Sequence, residues 1–319
     1  MIRFAKSFSL ALGLTLALVA AMLCASLPAE AKPSAYQPIE RRNIVIIGDR
    51  VVDIAYNLGV LPAGMSTRCS LWPLCDKIKL MSQPLRCPGC LSQGKRGTLA
   101  AFVKANQVKL ALVEKSQPFC ILMPKANPMD VVEFLQKRGV EVKIVDFSQG
   151  VGPAITQTAA ILGRPEEGKV LAAKYQKAMH KLAQTMAGHK LGKRVVILHG
   201  VYQASTGKSF VQVEAPGGYC DRFILGPMGC SNVGQALVPA GKKPTKGRWT
   251  IRGLKKLAQA KPDAVVIIGN STAVQKALAK AMASQPELCR VPVFSLPGYI
   301  DSSVIELPAI AGKWFWALK

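Results

Sequence analysis

Residues 151–188 read VGPAITQTAAILGRPEEGKVLAAKYQKAMHKLAQTMAG, and this stretch decides how the chain is organised. It carries no strand signal. Pro165 suits a first helical turn, and Glu166 and Glu167 complement the positive end of the helix dipole there. Leu171, Tyr175, Ala178, Leu182 and Met186 then recur at steps of four, three, four and four. That spacing draws one apolar stripe along a helix of about five turns. Gly188 ends it.

The texture on either side is different. Before the helix, NIVIIGD (43–49), KLALVE (109–114), FCILMP (119–124) and VEVKIVDF (140–147) read as short buried strands, and VVDIAYNLGV (51–60) and MDVVEFLQKRG (129–139) as helices. After it, RVVILHG (194–200), FVQVEAPGG (210–218) and VPVFSLP (291–297) read as strands. In 251–270, IRGLKKLAQAKPDAVVIIGN, a helix, a Lys-Pro-Asp turn and a strand are expected. Two further helices are expected over 271–284 and 305–319. Strands alternating with helices indicate parallel α/β structure. The expected fold class is α/β, with a lobe over 32–150, a linking helix over 151–190 and a second lobe over 191–319.

The N-terminus has Arg3 and Lys6, a long apolar run, and Ala29 and Ala31 spaced as a cleavage site. This reads as a secretory signal peptide over 1–31. Cys24 follows Leu23 rather than a small residue, so no lipid attachment site is expected. Removing the leader lowers the formal charge of +24 only to about +23 and leaves eight of nine cysteines. An exported chain of this charge attracts anions through its field. An anionic small ligand or membrane surface is expected as partner, not nucleic acid. Export also permits disulfides. TGKS (206–209) lacks the glycine a phosphate loop needs, since Tyr202 stands there.

RRNIVIIGDRVVDIAYNLGV (41–60), VEFLQKRGVEVKIVDF (132–147), TAAILGRPEEGKVLAAKYQKAM (158–179), GCSNVG (229–234) and IRGLKKLAQAKPDAVVIIG (251–269) together resemble the class III periplasmic substrate-binding proteins. These are receptors of ABC importers for cobalamin, ferric siderophores, haem and metal ions. The resemblance covers nearly the whole chain after the leader and rests on the order and spacing of the motifs. It implies two Rossmann-like α/β lobes joined rigidly by one long backbone helix, and a ligand held between them with little closure. It also implies a periplasmic monomer that is not an enzyme, with an importer permease as partner. The chain departs from the family at the surface glutamates that dock on the permease. The matching places fall near Ala100 and at Arg252, leaving Glu114 or Glu214 as substitutes. The expected cargo is a metal, metal chelate or metal cluster, anionic overall. A metal chaperone or sensor on the same fold is the alternative.

The sharpest local feature is a cysteine-rich insertion over 65–94, with Cys69, Cys75, Cys87 and Cys90. A Cys-Pro-Gly-Cys turn can present two thiolates to one ion, and a second pair would complete a site for a transition metal or iron–sulfur species. Disulfides are the competing reading. A thiol oxidoreductase using Cys87 and Cys90 is a third, and would need a depressed thiol pKa. Cys220 and Cys230 either close a loop as a disulfide or face the cleft across from the first-lobe thiols. His199 ends a strand, where open α/β folds place ligands. Tyr202 shares its loop, and Arg50 follows the first strand of the other lobe as a counter-charge. The resemblance adds Trp249 and Tyr299 as cleft aromatics.

Overall fold

The structure, a computed structural model, describes residues 39–319. The expected leader over 1–31 lies outside the described residues. In the first lobe, β1 (Glu40–Ile47), β2 (Val60–Ser66), β3 (Gln83–Pro84), β4 (Leu110–Lys115) and β5 (Glu141–Asp146) form a parallel sheet in the order β3-β2-β1-β4-β5. Helices α1 (Asp49–Asn57), α2 (Cys75–Ile78), α3 (Pro88–Ser92), α4 (Gly97–Ala105) and α5 (Val132–Gln136) belong to this lobe. The continuous apolar run in β1 is explained by its two covered faces. Ile44 and Ile46 enter one core, and Val45 and Ile47 enter the other.

Two helices follow, α6 (Val151–Ile161) and α7 (Pro165–Met186). The apolar stripe on α7 is divided between the lobes. Leu171 and Tyr175 pack against the first lobe's core, and Leu182 and Met186 against the second's. The helix is thus a strut anchored at both ends. Gly168 allows α6 and α7 to cross closely, because a Cβ there would collide with that of Ala159.

The second lobe holds β6 (Arg194–Gln203), β7 (Lys208–Glu214), β8 (Ser231–Asn232), β9 (Arg248–Ile251), β10 (Ala264–Gly269) and β11 (Val293–Ser295), with α8 (Ser271–Ser284) and α9 (Leu307–Leu318). The sheet order is β11-β10-β6-β7-β9, with β8 paired to β6. β6, β10 and β11 run parallel, while β7 is antiparallel to both β6 and β9. No helix of the described residues is long and apolar enough to cross a membrane.

Three local expectations are corrected. FCILMP is not a strand. Phe119 and Cys120 are buried in a small cluster of their own, and the bounding Pro118 and Pro124 have no N–H to give a ladder. Residues 252–260 form turns ending in a 3₁₀ segment (Ala258–Ala260) rather than an α-helix. Their buried positions, Leu254, Leu257 and Ala260, step by three, the 3₁₀ period. The insertion begins later than expected, because Val60–Ser66 is a wholly buried strand despite Pro62 and Gly64.

Candidate functional site

In the second sheet, β6 leads to β7 on one side and β10 leads to β11 on the other. The strand order therefore reverses between β6 and β10, the place where open α/β sheets bind ligands. His199 is in the middle of β6, where its pairing with β10 stops, and Gly200 follows it. A Cβ on Gly200 would collide with the carbonyl oxygen of Asn270, so the two strand ends close tightly and Asn270 N–H donates to Gly200 O at 2.9 Å.

Against this edge lies a cavity of about 370 Å³ between the lobes. Leu71, Leu74 and Leu122 wall it from the first lobe, and His199, Tyr219 and Tyr299 from the second. It falls within the size range of small-molecule sites. His199 is 5% exposed, and its Nε2 lies 2.7 Å from Glu214 Oε2. A carboxylate only accepts, so Nε2 carries the proton and Nδ1 keeps a free lone pair. Burial pushes the imidazole pKa down, and the charge of Arg248 adds to this against the pull of Glu214. The ring is therefore neutral at neutral pH. A neutral imidazole oriented by a carboxylate is the arrangement that suits metal coordination. Glu214 is itself fixed, with its Oε1 accepting Cys220 N–H at 3.3 Å. Burial holds the Tyr299 hydroxyl protonated.

Beside the cavity, the lobes are joined by a buried ionic cluster. Arg68 reaches Asp49 at 2.7 Å and Asp301 at 2.9 Å, and its guanidinium also donates to Tyr219 Oη at 2.6 Å and Ser302 Oγ at 3.1 Å. Arg50 pairs with Glu114 at 3.1 Å and with Asp301. Burial works against both arginine charges, but the carboxylates outweigh it. Burial pushes Glu114 up. Trp72 adds a further link, donating to Ser303 Oγ at 2.9 Å. The 301–303 segment of the second lobe is thus clamped by residues of the first.

The structure brings only His199 and Tyr299 of the sequence-derived candidates to this cavity. Arg50 lines a second interlobe cavity of about 530 Å³, with Lys115, Phe147, Arg222 and Phe223. It cannot serve as a free counter-charge there, because Glu114 and Asp301 already neutralise it. Tyr202 is 56% exposed on the β6–β7 hairpin, outside the lining. Trp249 is buried in the second lobe's core, with its Nε1 donating to Lys242 O at 2.8 Å. Glu114 and Glu214 are both buried, so neither is a surface docking acid.

Cys69 and Cys75 form a disulfide, while Cys87 and Cys90 are thiols. The four therefore do not converge as one ligand set. Cys220 and Cys230 are unbonded, a correction: Cys220 Sγ faces Tyr299 O and Cys230 Sγ faces Met228 O. Among the described residues, no three of His, Cys, Asp and Glu are grouped to hold a metal ion.

Sequence reasoning missed Arg68, Asp49 and Asp301 altogether. Their partners lie up to 253 positions away in sequence (Asp49 and Ser302), and nothing local marks them. Glu214 was within reach. His199 faces Gln212 in the hairpin register, so Glu214 is its diagonal same-face neighbour.

No family model matches the chain, and no curated protein matches it. Solved structures do. A periplasmic solute binding protein from Veillonella parvula DSM 2008 is 14% identical with a TM-score of 0.54, covering 88% of this chain and 81% of its own. The periplasmic heme-binding protein BhuT, in complex with two hemes, is 17% identical with a TM-score of 0.52, covering 88% of this chain and all of its own (100%). The periplasmic heme-binding protein RhuT from Roseiflexus sp. RS-1, in apo form, is 17% identical with a TM-score of 0.50 over 88% and 100%. At these identities the likeness is one of fold: the chain has the two-lobed α/β architecture of these binding proteins, its lobes joined by one long helix.

Proposed function

We propose that this chain is an exported, periplasmic binding protein that captures an anionic metal chelate of the haem type between its lobes and delivers it to an ABC importer. The observation that carries the reading is the His199–Glu214 pair on the wall of the interlobe cavity. Its neutral ring has one nitrogen committed to a carboxylate and the other left to coordinate. The leucines opposite suit the apolar face of a macrocycle, and the strongly basic chain favours a ligand with negative groups. BhuT and RhuT, which share the fold, are described as heme-binding. The clamped lobes suit capture with little closure. A metal chaperone of the same fold would show the same site and lack a permease partner. Redox catalysis by Cys87 and Cys90 is disfavoured, because burial raises the Cys87 thiol instead of lowering it.

Haemin is the probe that tests this. Titrated into the protein after removal of residues 1–31, it is expected to give a saturable Soret change at one equivalent. His199→Ala is expected to weaken binding roughly tenfold or more and to shift the spectrum, and Glu214→Gln to give a smaller loss in the same direction. Identical affinity and spectrum in His199→Ala would remove the coordinating role.

A further inference from the structure

We propose that Cys87, Cys90 and the thioether of Met123 form a separate site for a soft monovalent metal ion of the Cu(I) class. The site shares no residue with the His199 cavity and does not depend on the chelate reading.

The two thiols flank a tight turn. Cys87 precedes the first turn of α3, and Cys90 N–H donates to Cys87 O at 2.9 Å. Both cysteines are half-buried and unbonded, so they are open to an ion and tied to no other thiol. The loop over 119–126, which departs from its expected strand, folds across this turn. A Cβ placed on Gly89 would lie 2.6 Å from Met123 Cε and 3.4 Å from Met123 Sδ. A thioether sulfur therefore packs directly on Gly89, one of the two residues between the thiols. The arrangement is pinned by Ser92 on α3, whose hydroxyl donates to Asn127 O at 2.8 Å and accepts Asn127 N–H at 3.0 Å. Met123 is 36% exposed, leaving a route to the sulfurs.

The donor set selects the ion. No third His, Cys, Asp or Glu completes the group among the described residues, so the four protein ligands of structural zinc or of a cluster are not provided. Two thiolates with one thioether instead fit a soft d¹⁰ ion of low coordination number. Binding exchanges protons for the ion. Each thiol releases one proton to solvent, each sulfur gives its lone pair to the metal, and no electron is transferred.

The test is anaerobic titration of the reduced protein, lacking residues 1–31, with Cu(I) in competition with bicinchoninate. One equivalent bound, with about two protons released and only sulfur in the copper X-ray absorption shell, is expected. Cys87→Ser/Cys90→Ser should abolish this binding. Met123→Leu, which keeps the packing, should weaken it roughly tenfold. His199→Ala should leave it intact while impairing haemin binding, which keeps the two sites distinguishable. Undiminished copper binding in the double serine variant would overturn the proposal. So would an unchanged affinity in Met123→Leu, or finding Cys87 bonded to Cys90 in the protein as exported.

Discussion

Arg68→Met is expected to lower the stability of the protein by about 3–5 kcal/mol, read as a fall in the urea midpoint. Arg68 is 2% exposed and is the one residue that touches both Asp49 and Asp301 within this cluster. Methionine fills a similar volume, so packing is largely kept. What is lost is the charge that compensates two buried carboxylates. Asp49 retains the Arg68 backbone N–H and the Ser302 hydroxyl, which limits the loss on that side. Asp301 keeps only Arg50 as a cation. The double variant Arg68→Met/Asp49→Asn should recover part of the loss, because the uncompensated carboxylate is removed with its partner. By contrast, breaking the exposed Glu133–Lys137 pair should leave the midpoint close to that of the parent. A midpoint for Arg68→Met indistinguishable from the parent would mean that the cluster does not hold the lobes together.

A second large effect is expected with pH. Asp53 on α1 is buried where the second lobe meets the first, and its Oδ2 accepts Ile305 N–H at 3.0 Å. Burial, with the charges of Glu306 and Asp49, pushes its pKa up to about 7, against the hydrogen bonds from Ile305 and Val304. In the unfolded chain the group ionises near the ordinary value of about 4. Below that value both states hold the proton and Asp53 makes no pH-dependent contribution. Between there and pH 7 the unfolded chain has lost a proton that the native state keeps, so stability falls as pH rises. The cost levels off above pH 7, at roughly 4 kcal/mol. Asp53→Asn should flatten this slope. Its amide oxygen can still accept Ile305 N–H, and the neighbouring Asn57 amide can turn to accept its new donor. Urea midpoints of the parent and variant at pH 4.5 and 8 check this. Parallel profiles would contradict it. Asp221, pushed up to about 6 by burial, contributes with the same sign and remains in both proteins.

The alternation of strands and helices was legible because a parallel sheet covered on both faces leaves short apolar runs, as Ile44–Ile47 shows. The strut was legible because one face of α7 repeats the helical period, although that face serves two cores. His199 was singled out because the apolar run RVVILHG ends beside it; β6 continues to Gln203, and His199 lies where the pairing of β6 with β10 stops. The errors have local causes. Tyr202 is next to His199 in the loop reading, but β6 continues to Gln203 and carries Tyr202 out along the hairpin. Trp249 is in β9, paired with Val213, and points into the second lobe's core. Arg50 lines a second interlobe cavity, and a sequence does not display the two carboxylates that claim it. The ionic cluster was illegible for the same reason. Five of the seventeen acidic residues in the described part of the chain are buried, and burial is a property of the folded surface. Their withdrawal also leaves the exterior more basic than composition suggests.

The cavity and the ionic cluster meet at the 299–303 segment. Tyr299 lines the cavity, while Asp301, Ser302 and Ser303 are held by Arg50, Arg68 and Trp72. Fixing these residues fixes one wall of the site, so the shape that receives a ligand is set before it arrives. Preorganisation of this kind favours affinity by reducing the ordering cost of binding.

The measurement that tests the central claim most directly is identification of what the protein carries when purified from its native compartment, by metal analysis and native mass spectrometry, for the parent and His199→Ala. The account predicts one equivalent of an anionic metal chelate in the parent and little or none in the variant. A metal-free ligand in the parent, or the same chelate retained in full by His199→Ala, would contradict it.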